Sequence, residues 1–105
     1  MVEHNDRHGR LEQLRFRLRR CVAFLAAIRH RHEVVGVVGE AANDEKAAEA
    51  VSELLDVDRE HAEEIVEMPV KSFTKNRADR LEDEAARLEE KVATLASEGT
   101  NPPRG

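Results

Sequence analysis

The stretch LEQLRFRLRRCVAFLAAI, residues 11–28, decides the fold, because its apolar side chains recur at heptad spacing. Steps of 3, 4, 3, 4 and 3 residues separate the members of this stripe, which are Leu11, Leu14, Leu18, Cys21, Leu25 and Ile28. This pattern brings all the side chains to one face of an α-helix, where they can meet a second helix. We therefore predict a helix from about Arg10 to Val38. Its final part, VVGVVG (34–39), is apolar on most sides and should enter a core, and its glycines permit close approach of another backbone.

A second stripe of the same kind lies near the other end of the chain. Its members are spaced 4, 3, 4 and 3 residues apart and are Leu81, Ala85, Leu88, Val92 and Leu95. Two such helices predict an all-α fold in which the helix of about Lys75–Glu98 pairs antiparallel with the first as a two-helix coiled-coil hairpin. We expect one domain, 10–98, with a small globular helical tip at about 33–74. Residues 1–9 and 99–105 are expected to be flexible tails.

Two shorter helices are predicted between the stripes. One spans about Asp44 to Leu55 with Asn43 or Asp44 as its N-cap, and the other begins at Asp58. The second helix ends near Met68, because the residue before a proline is driven out of the helical region. Their apolar faces contain Ala47, Ala48, Val51, Leu54, Leu55, Ala62, Ile65, Val66 and Met68. Thr74 is the expected N-cap of the last helix.

Composition supports a helical protein and limits its location. Charged residues make up 37% of the 105 residues and aromatic residues only 3%, which is unlike a sheet protein. The single cysteine, Cys21, cannot form an internal disulfide, and no secretory signal is visible, so we expect a cytoplasmic protein. No apolar run approaches the roughly 20 residues that cross a bilayer, so no membrane partner is expected. The initiating Met and polar end favour a complete small protein over an excised piece.

The net charge of −5 conceals an asymmetry between the two parts of the chain. Residues 1–33 hold eight Arg against four acids, whereas residues 34–105 hold nine basic residues against eighteen acids. A basic first helix could bind nucleic acid, or it could lie along the acidic last helix. We favour the second interpretation, because the acidic partner is present in the same chain and opposite charges beside an antiparallel seam fix its register.

Three stretches together resemble the coiled-coil and exit-gate segment of the A subunit of DNA gyrase and topoisomerase IV, the bacterial type IIA topoisomerases. They are RFRLRR (15–20) leading through FLAAI to HEVVGVV (32–38), LLDVDREHAEEIVEMPVKSFT (54–74) and RLEDEAARLEEKVATL (80–95). The likeness covers about residues 10–97. The sequence departs from the family at Pro69-Val70, where the family has Arg-Leu, and at Lys75-Asn76, where it has a Gly-containing turn.

The resemblance implies a dimerisation module and not an enzyme. In the family this segment holds two subunits together and opens to release the transported duplex, while DNA cleavage needs a tyrosine on another domain, and this chain has no Tyr. A homodimer is expected, and the predicted interface residues are Ile65, Met68, Val70 and Phe73, which could instead fill the core of the tip. A gyrase or topoisomerase IV A subunit is the other partner considered. The alternative function is a small DNA-binding protein that uses the Arg-rich first helix.

No catalytic, cofactor or metal site is expected. His30 and His32 diverge on a helix, and no cysteine or carboxylate completes a metal-ligand set with them or with His4, His8 and His61. Cys21 belongs to the apolar stripe, where a thiol packs as a small hydrophobe. The arginines are scattered around the first helix and are expected to be solvated or to pair with acids of the last helix; they are Arg15, Arg17, Arg19, Arg20, Arg29 and Arg31.

Overall fold

The computed structural model describes the backbone of residues 2–100 and the side chains of residues 7–97. Within this range the chain forms α1 (Val2–Arg29), α2 (Arg31–Glu40), α3 (Asp44–Leu55), α4 (Arg59–Val66), a 3₁₀ turn (Val70–Phe73) and α5 (Lys75–Thr100). No β-strand occurs in the described part, so the all-α prediction is confirmed. None of the helices in this part is long and apolar enough to span a membrane. Residues 101–105 of the expected C-terminal tail lie outside the described residues.

The first helix differs from its prediction at both ends. It begins at Val2, in the segment expected to be a tail, and it ends at Arg29 instead of continuing through the valine-rich segment. His30 leaves the helical region, with φ −113° and ψ 34°, and a separate helix starts at the next residue. Arg31 Nη1 donates a hydrogen bond to Ile28 O at 2.7 Å, so a side chain satisfies a carbonyl at this break. Heptad periodicity carries no signal for such a break.

The ends of the other helices are set by local signals in the sequence. Asn43 Oδ1 accepts a hydrogen bond from the Lys46 backbone N–H at 2.9 Å and caps α3, and Thr74 Oγ1 accepts one from the Arg77 N–H at 3.3 Å and caps α5. Asp58 precedes α4, as predicted, but its side chain makes no cap hydrogen bond. Its carboxylate instead reaches a different helix, as described below.

The two long helices, α1 and α5, lie side by side and run in opposite directions. Arg29, at the end of α1, binds Glu82, near the start of α5, at 2.8 Å. At the other end of the pair, Arg10 and Leu95 line the same surface groove. The contact between the helices is apolar: Leu14, Leu18 and Leu81 pack against the buried side chains of Cys21, Ala85 and Leu88. Removing this surface from water stabilises the pair by roughly 25 cal/mol per Å².

The larger core lies where α2, α3 and α4 meet α1. Its buried members are mostly small and are Ala23, Ala27, Val34, Ala48, Val51, Ala62 and Ile65. Small side chains allow the helix axes to approach closely. Contacts of Phe16 with His61 and of Arg20 with Glu64 place α4 beside the middle of α1. α4 therefore lies along the flank of α1.

Candidate interaction surface

The predicted dimer-interface residues differ sharply in exposure. Val70 is 83% exposed, whereas Ile65 is only 2% exposed and packs in the core between α1 and α4. Met68 and Phe73 are half-buried. Ile65 is therefore corrected from an interface residue to a core residue, because the apolar face of α4 is turned towards the alanines of α1. Of the four residues, Val70 is the one presented fully to solvent.

The 3₁₀ turn after α4 explains why Val70 points outward. Pro69 stands just before the turn with φ −71° and ψ 155°, in extended backbone that cannot continue α4. The Ser72 N–H then donates to Pro69 O at 2.9 Å, and Ser72 is buried at 8% exposure. With Ser72 turned inward, the chain presents Val70 on the opposite side.

A surface groove adjoins this turn. Phe24, Met68 and Pro69 supply its apolar floor, and the groove has a volume of about 460 Å³. Its charged lining residues are Arg20, Glu60, Glu63, Glu64 and Glu67. We call Val70 together with the apolar floor of this groove the Val70 patch. It is an apolar surface with an acidic rim, in which Arg20 neutralises Glu64.

The residues of the two predicted apolar stripes all lie at buried or half-buried positions. The buried ones are Cys21, Leu25, Ile28, Ala85, Leu88 and Leu95, and the half-buried ones are Leu11, Leu14, Leu18, Leu81 and Val92. Burial raises the pKa of the Cys21 thiol above its ordinary value, and the neighbouring Glu84 carboxylate raises it further. A thiol with a raised pKa stays protonated at neutral pH, so Cys21 is a poor nucleophile.

Most arginines of α1 have acidic partners, but α5 supplies only some of them. Arg17 pairs with Glu84 and Arg29 with Glu82, both on α5, and Arg15 pairs within its own helix with Glu12. The pairs Arg19–Asp58 and Arg20–Glu64 reach the α4 side instead, at 3.4 and 3.0 Å. We expected the arginines of α1 to be solvated or to form ion pairs with acidic residues of the last helix. Only some of the ion pairs involve that helix, because α4 lies along the opposite flank of α1 and supplies acidic partners there. Each exposed pair contributes at most about 1 kcal/mol.

A buried histidine, His61, is a functional candidate that the sequence suggested only as a metal ligand, because its burial was not predicted. His61 is 1% exposed, and the ring of Phe16 lies 5.1 Å from its ring. Its Nδ1 lies 3.3 Å from Glu64 Oε1, whereas its Nε2 lies 3.8 Å from Asp58 Oδ2 and has no hydrogen-bond partner among the described residues. The spacing of residues could have predicted this burial, because His61 precedes Ile65 by four residues and therefore lies on the apolar face of α4.

The other histidines do not assemble a site. His8, His30 and His32 are exposed, and the side chain of His4 lies outside the described residues. In the part of the chain with described side chains, no group of three or more His, Cys, Asp or Glu residues is placed to hold a metal ion.

Comparison with known proteins gives no match to a protein-family model, to a curated protein or to a solved structure. The likeness to the exit gate of type IIA topoisomerases therefore remains a prediction from the three sequence stretches.

Proposed function

We propose that this chain is a non-catalytic dimerisation module whose copies pair through the Val70 patch. In this proposal the antiparallel pair of α1 and α5 acts as a coiled-coil hairpin, and the short helices form the pairing end, as in the exit gate of a type IIA topoisomerase A subunit. The observation that carries the proposal is Val70, which is 83% exposed and directly follows Pro69, a residue of the apolar floor of the groove. A single exposed valine is ordinary, but a valine next to an apolar groove forms a surface that a partner can cover.

Two-fold symmetry suits this surface. In a symmetric dimer the same patch is used by both copies, so Val70 of each copy can enter the groove of the other. Lys71, which follows Val70 and is exposed, would then approach the acidic rim formed by Glu63 and Glu67 of the second copy. Opposite charges at the rim of an interface favour this orientation and suppress others.

The choice of a second copy over other partners rests on this self-complementarity. A gyrase or topoisomerase IV A subunit is a partner only through the sequence resemblance. The DNA-binding alternative is disfavoured because the arginines of α1 that would contact phosphates already pair with acids, including Glu64, Glu82 and Glu84. A protein–DNA contact would have to break these pairs.

Light scattering across a dilution series tests the proposal. The chain contains no Trp or Tyr, so concentration should be measured by refractive index. We expect a mass of twice 11.9 kDa that persists to low micromolar concentration. A monomer throughout the series would overturn the dimerisation module. A salt-dependent shift of duplex DNA at physiological ionic strength, without dimerisation, would favour the DNA-binding alternative instead.

A further inference from the structure

A second concave surface, distinct from the Val70 patch, surrounds the buried histidine. This cleft has a volume of about 320 Å³, at the small end of the range for ligand pockets. Leu18, Val22, Ala23 and Val57 supply its apolar lining. Val22 is 47% exposed, which leaves an apolar side chain open to a ligand. We call this surface the His61 cleft.

The hydrogen-bonding state of His61 follows from its neighbours. Arg20 holds the Glu64 carboxylate and lowers its pKa, so this carboxylate is ionised at neutral pH and can only accept hydrogen bonds. Nδ1 of His61 must therefore carry the proton that it shares with Glu64. In the neutral ring Nε2 is then an acceptor, and it lies on the side of Asp58, which lines the cleft. A buried acceptor without a partner costs free energy until a donor reaches it.

The charge of the cleft selects the kind of donor. Its charged lining residues are three carboxylates and one guanidinium, namely Asp56, Asp58, Glu89 and Arg19. Arg19 pairs with Asp58 at 3.4 Å, which leaves an excess of negative charge. An anion is disfavoured here, whereas a cation with several N–H donors is favoured.

We propose that the His61 cleft binds a primary alkylammonium group, whose N–H donors bind His61 Nε2 and the Asp58 carboxylate while its alkyl chain packs on Leu18, Val22 and Val57. One ammonium nitrogen that lies to the side of the 3.8 Å line between Nε2 and Asp58 Oδ2 can be about 2.8 Å from both atoms. The Asp58 side chain is 53% exposed, so a change of its rotamer can open Nε2 to the cleft. The same chemistry is offered by a free small amine and by a lysine side chain.

The proposal is tested by titrating the isotope-labelled protein with n-butylammonium chloride and following its NMR spectrum. Sodium pentanoate and n-butanol serve as anionic and neutral probes that carry the same n-butyl chain. We expect saturable shifts of the His61 ring signals and of the Val22 and Val57 amides with butylammonium only. Equal shifts with n-butanol, or none with butylammonium at tens of millimolar, would overturn the proposal.

Two variants with opposite expected effects separate ligand binding from damage to the fold. Asp58→Asn keeps a good N-cap residue before α4. It should weaken butylammonium binding about tenfold or more, because one charge-assisted hydrogen bond is lost. Arg19→Gln removes the cation of the cleft and should strengthen binding. Glu53→Gln, which removes the charge of an exposed glutamate on α3 outside the cleft, is the matched control and should leave binding unchanged. Unaltered binding in Asp58→Asn would refute the assignment.

The source of the ammonium group is identified by a further probe, Nα-acetyl-lysine methylamide. Tighter binding of this compound than of butylammonium would indicate a lysine of a partner protein, and weaker binding would indicate a free amine. Either result supports an alkylammonium group as the ligand of the His61 cleft. Neither depends on dimerisation, so failure here is distinguishable from failure of the proposed function.

Discussion

Arg20 of α1 and Glu64 of α4, separated by 44 residues, are joined by a forked ion pair. Arg20 Nε lies 3.1 Å from both carboxylate oxygens, and Nη2 lies 3.0 Å from Oε2. The guanidinium also lies over the ring of Phe24, 4.6 Å from its centroid. This contact ties α4 to the flank of α1 and orders Glu64, which in turn holds His61.

Removing the charge of Glu64 should destabilise the protein in a pH-dependent way. The hydrogen bond from Arg20 lowers the pKa of Glu64 in the folded state. Stability gained from a lowered carboxyl pKa is present above the unfolded pKa, about 4.3 for glutamate, and is lost as the pH falls through the folded pKa. Because the pair is partly exposed, Glu64→Gln should lower the free energy of unfolding at pH 7 by at most about 1 kcal/mol.

Urea unfolding followed by circular dichroism measures this difference at pH 7 and pH 3. The difference in free energy of unfolding between Glu64→Gln and the parent protein should be smaller at pH 3 than at pH 7. The variant Glu53→Gln, which changes an exposed glutamate on α3, is the control and should show little effect at either pH. A difference that is the same at both pH values would mean that the ion pair does not stabilise the fold.

An aspartate at Val70 should dissociate the proposed dimer without unfolding it. Val70 is 83% exposed in the single chain, so Val70→Asp adds a charge that only a partner would bury. We expect a monomer by light scattering with an unchanged helical spectrum. Ile65→Asp should instead unfold the chain, because its side chain is 2% exposed.

The matched control for this experiment is Val35→Asp on α2. Val35 is 61% exposed and lies outside the Val70 patch, so its substitution should leave the mass of a dimer unchanged. Dissociation by Val35→Asp but not by Val70→Asp would move the interface to α2.

Cys21 should react slowly with alkylating reagents while the protein is folded. Burial and the Glu84 carboxylate raise the pKa of its thiol, and only the thiolate is reactive. We expect iodoacetamide labelling at pH 8 to be slower in the native protein than in urea, because the raised pKa lowers the thiolate fraction and burial restricts access of the reagent. Mass spectrometry gives the rates. Glu84→Gln should speed native labelling; equal native and unfolded rates would place the thiol at the surface.

Alanine at Gly36 should stabilise the single chain. A Cβ at this position meets nothing within 4 Å, so in this chain the glycine does not serve the close approach that its sequence context suggested. Replacing glycine by alanine inside a helix stabilises by about 0.5–1 kcal/mol. Urea unfolding should show this gain, and Gly39→Ala, equally open, should repeat it. A loss of stability would mean that another chain packs on this face.

Local patterns accounted for the parts of the fold that depend on neighbouring residues. The heptad steps predicted two long helices, Thr74 was recognised as a cap, Asn43 was one of two candidates for the cap of α3, and Pro69 was recognised as the end of a helix. Each of these signals acts over a turn or two of helix, where the backbone and its nearest side chains decide the outcome. The break at His30 escaped them because the apolar pattern runs through it.

By itself, the sequence determined that this chain is helical, which residues form apolar stripes and where most helices begin. Only the tertiary structure decided that Ile65 faces the core while Val70 faces solvent, that Arg20 pairs with Glu64 and not with α5, and that His61 is buried. The physical reason is that helical periodicity identifies a face but not the helix that covers it. That choice depends on how α1, α4 and α5 pack together, through contacts between residues more than 40 positions apart.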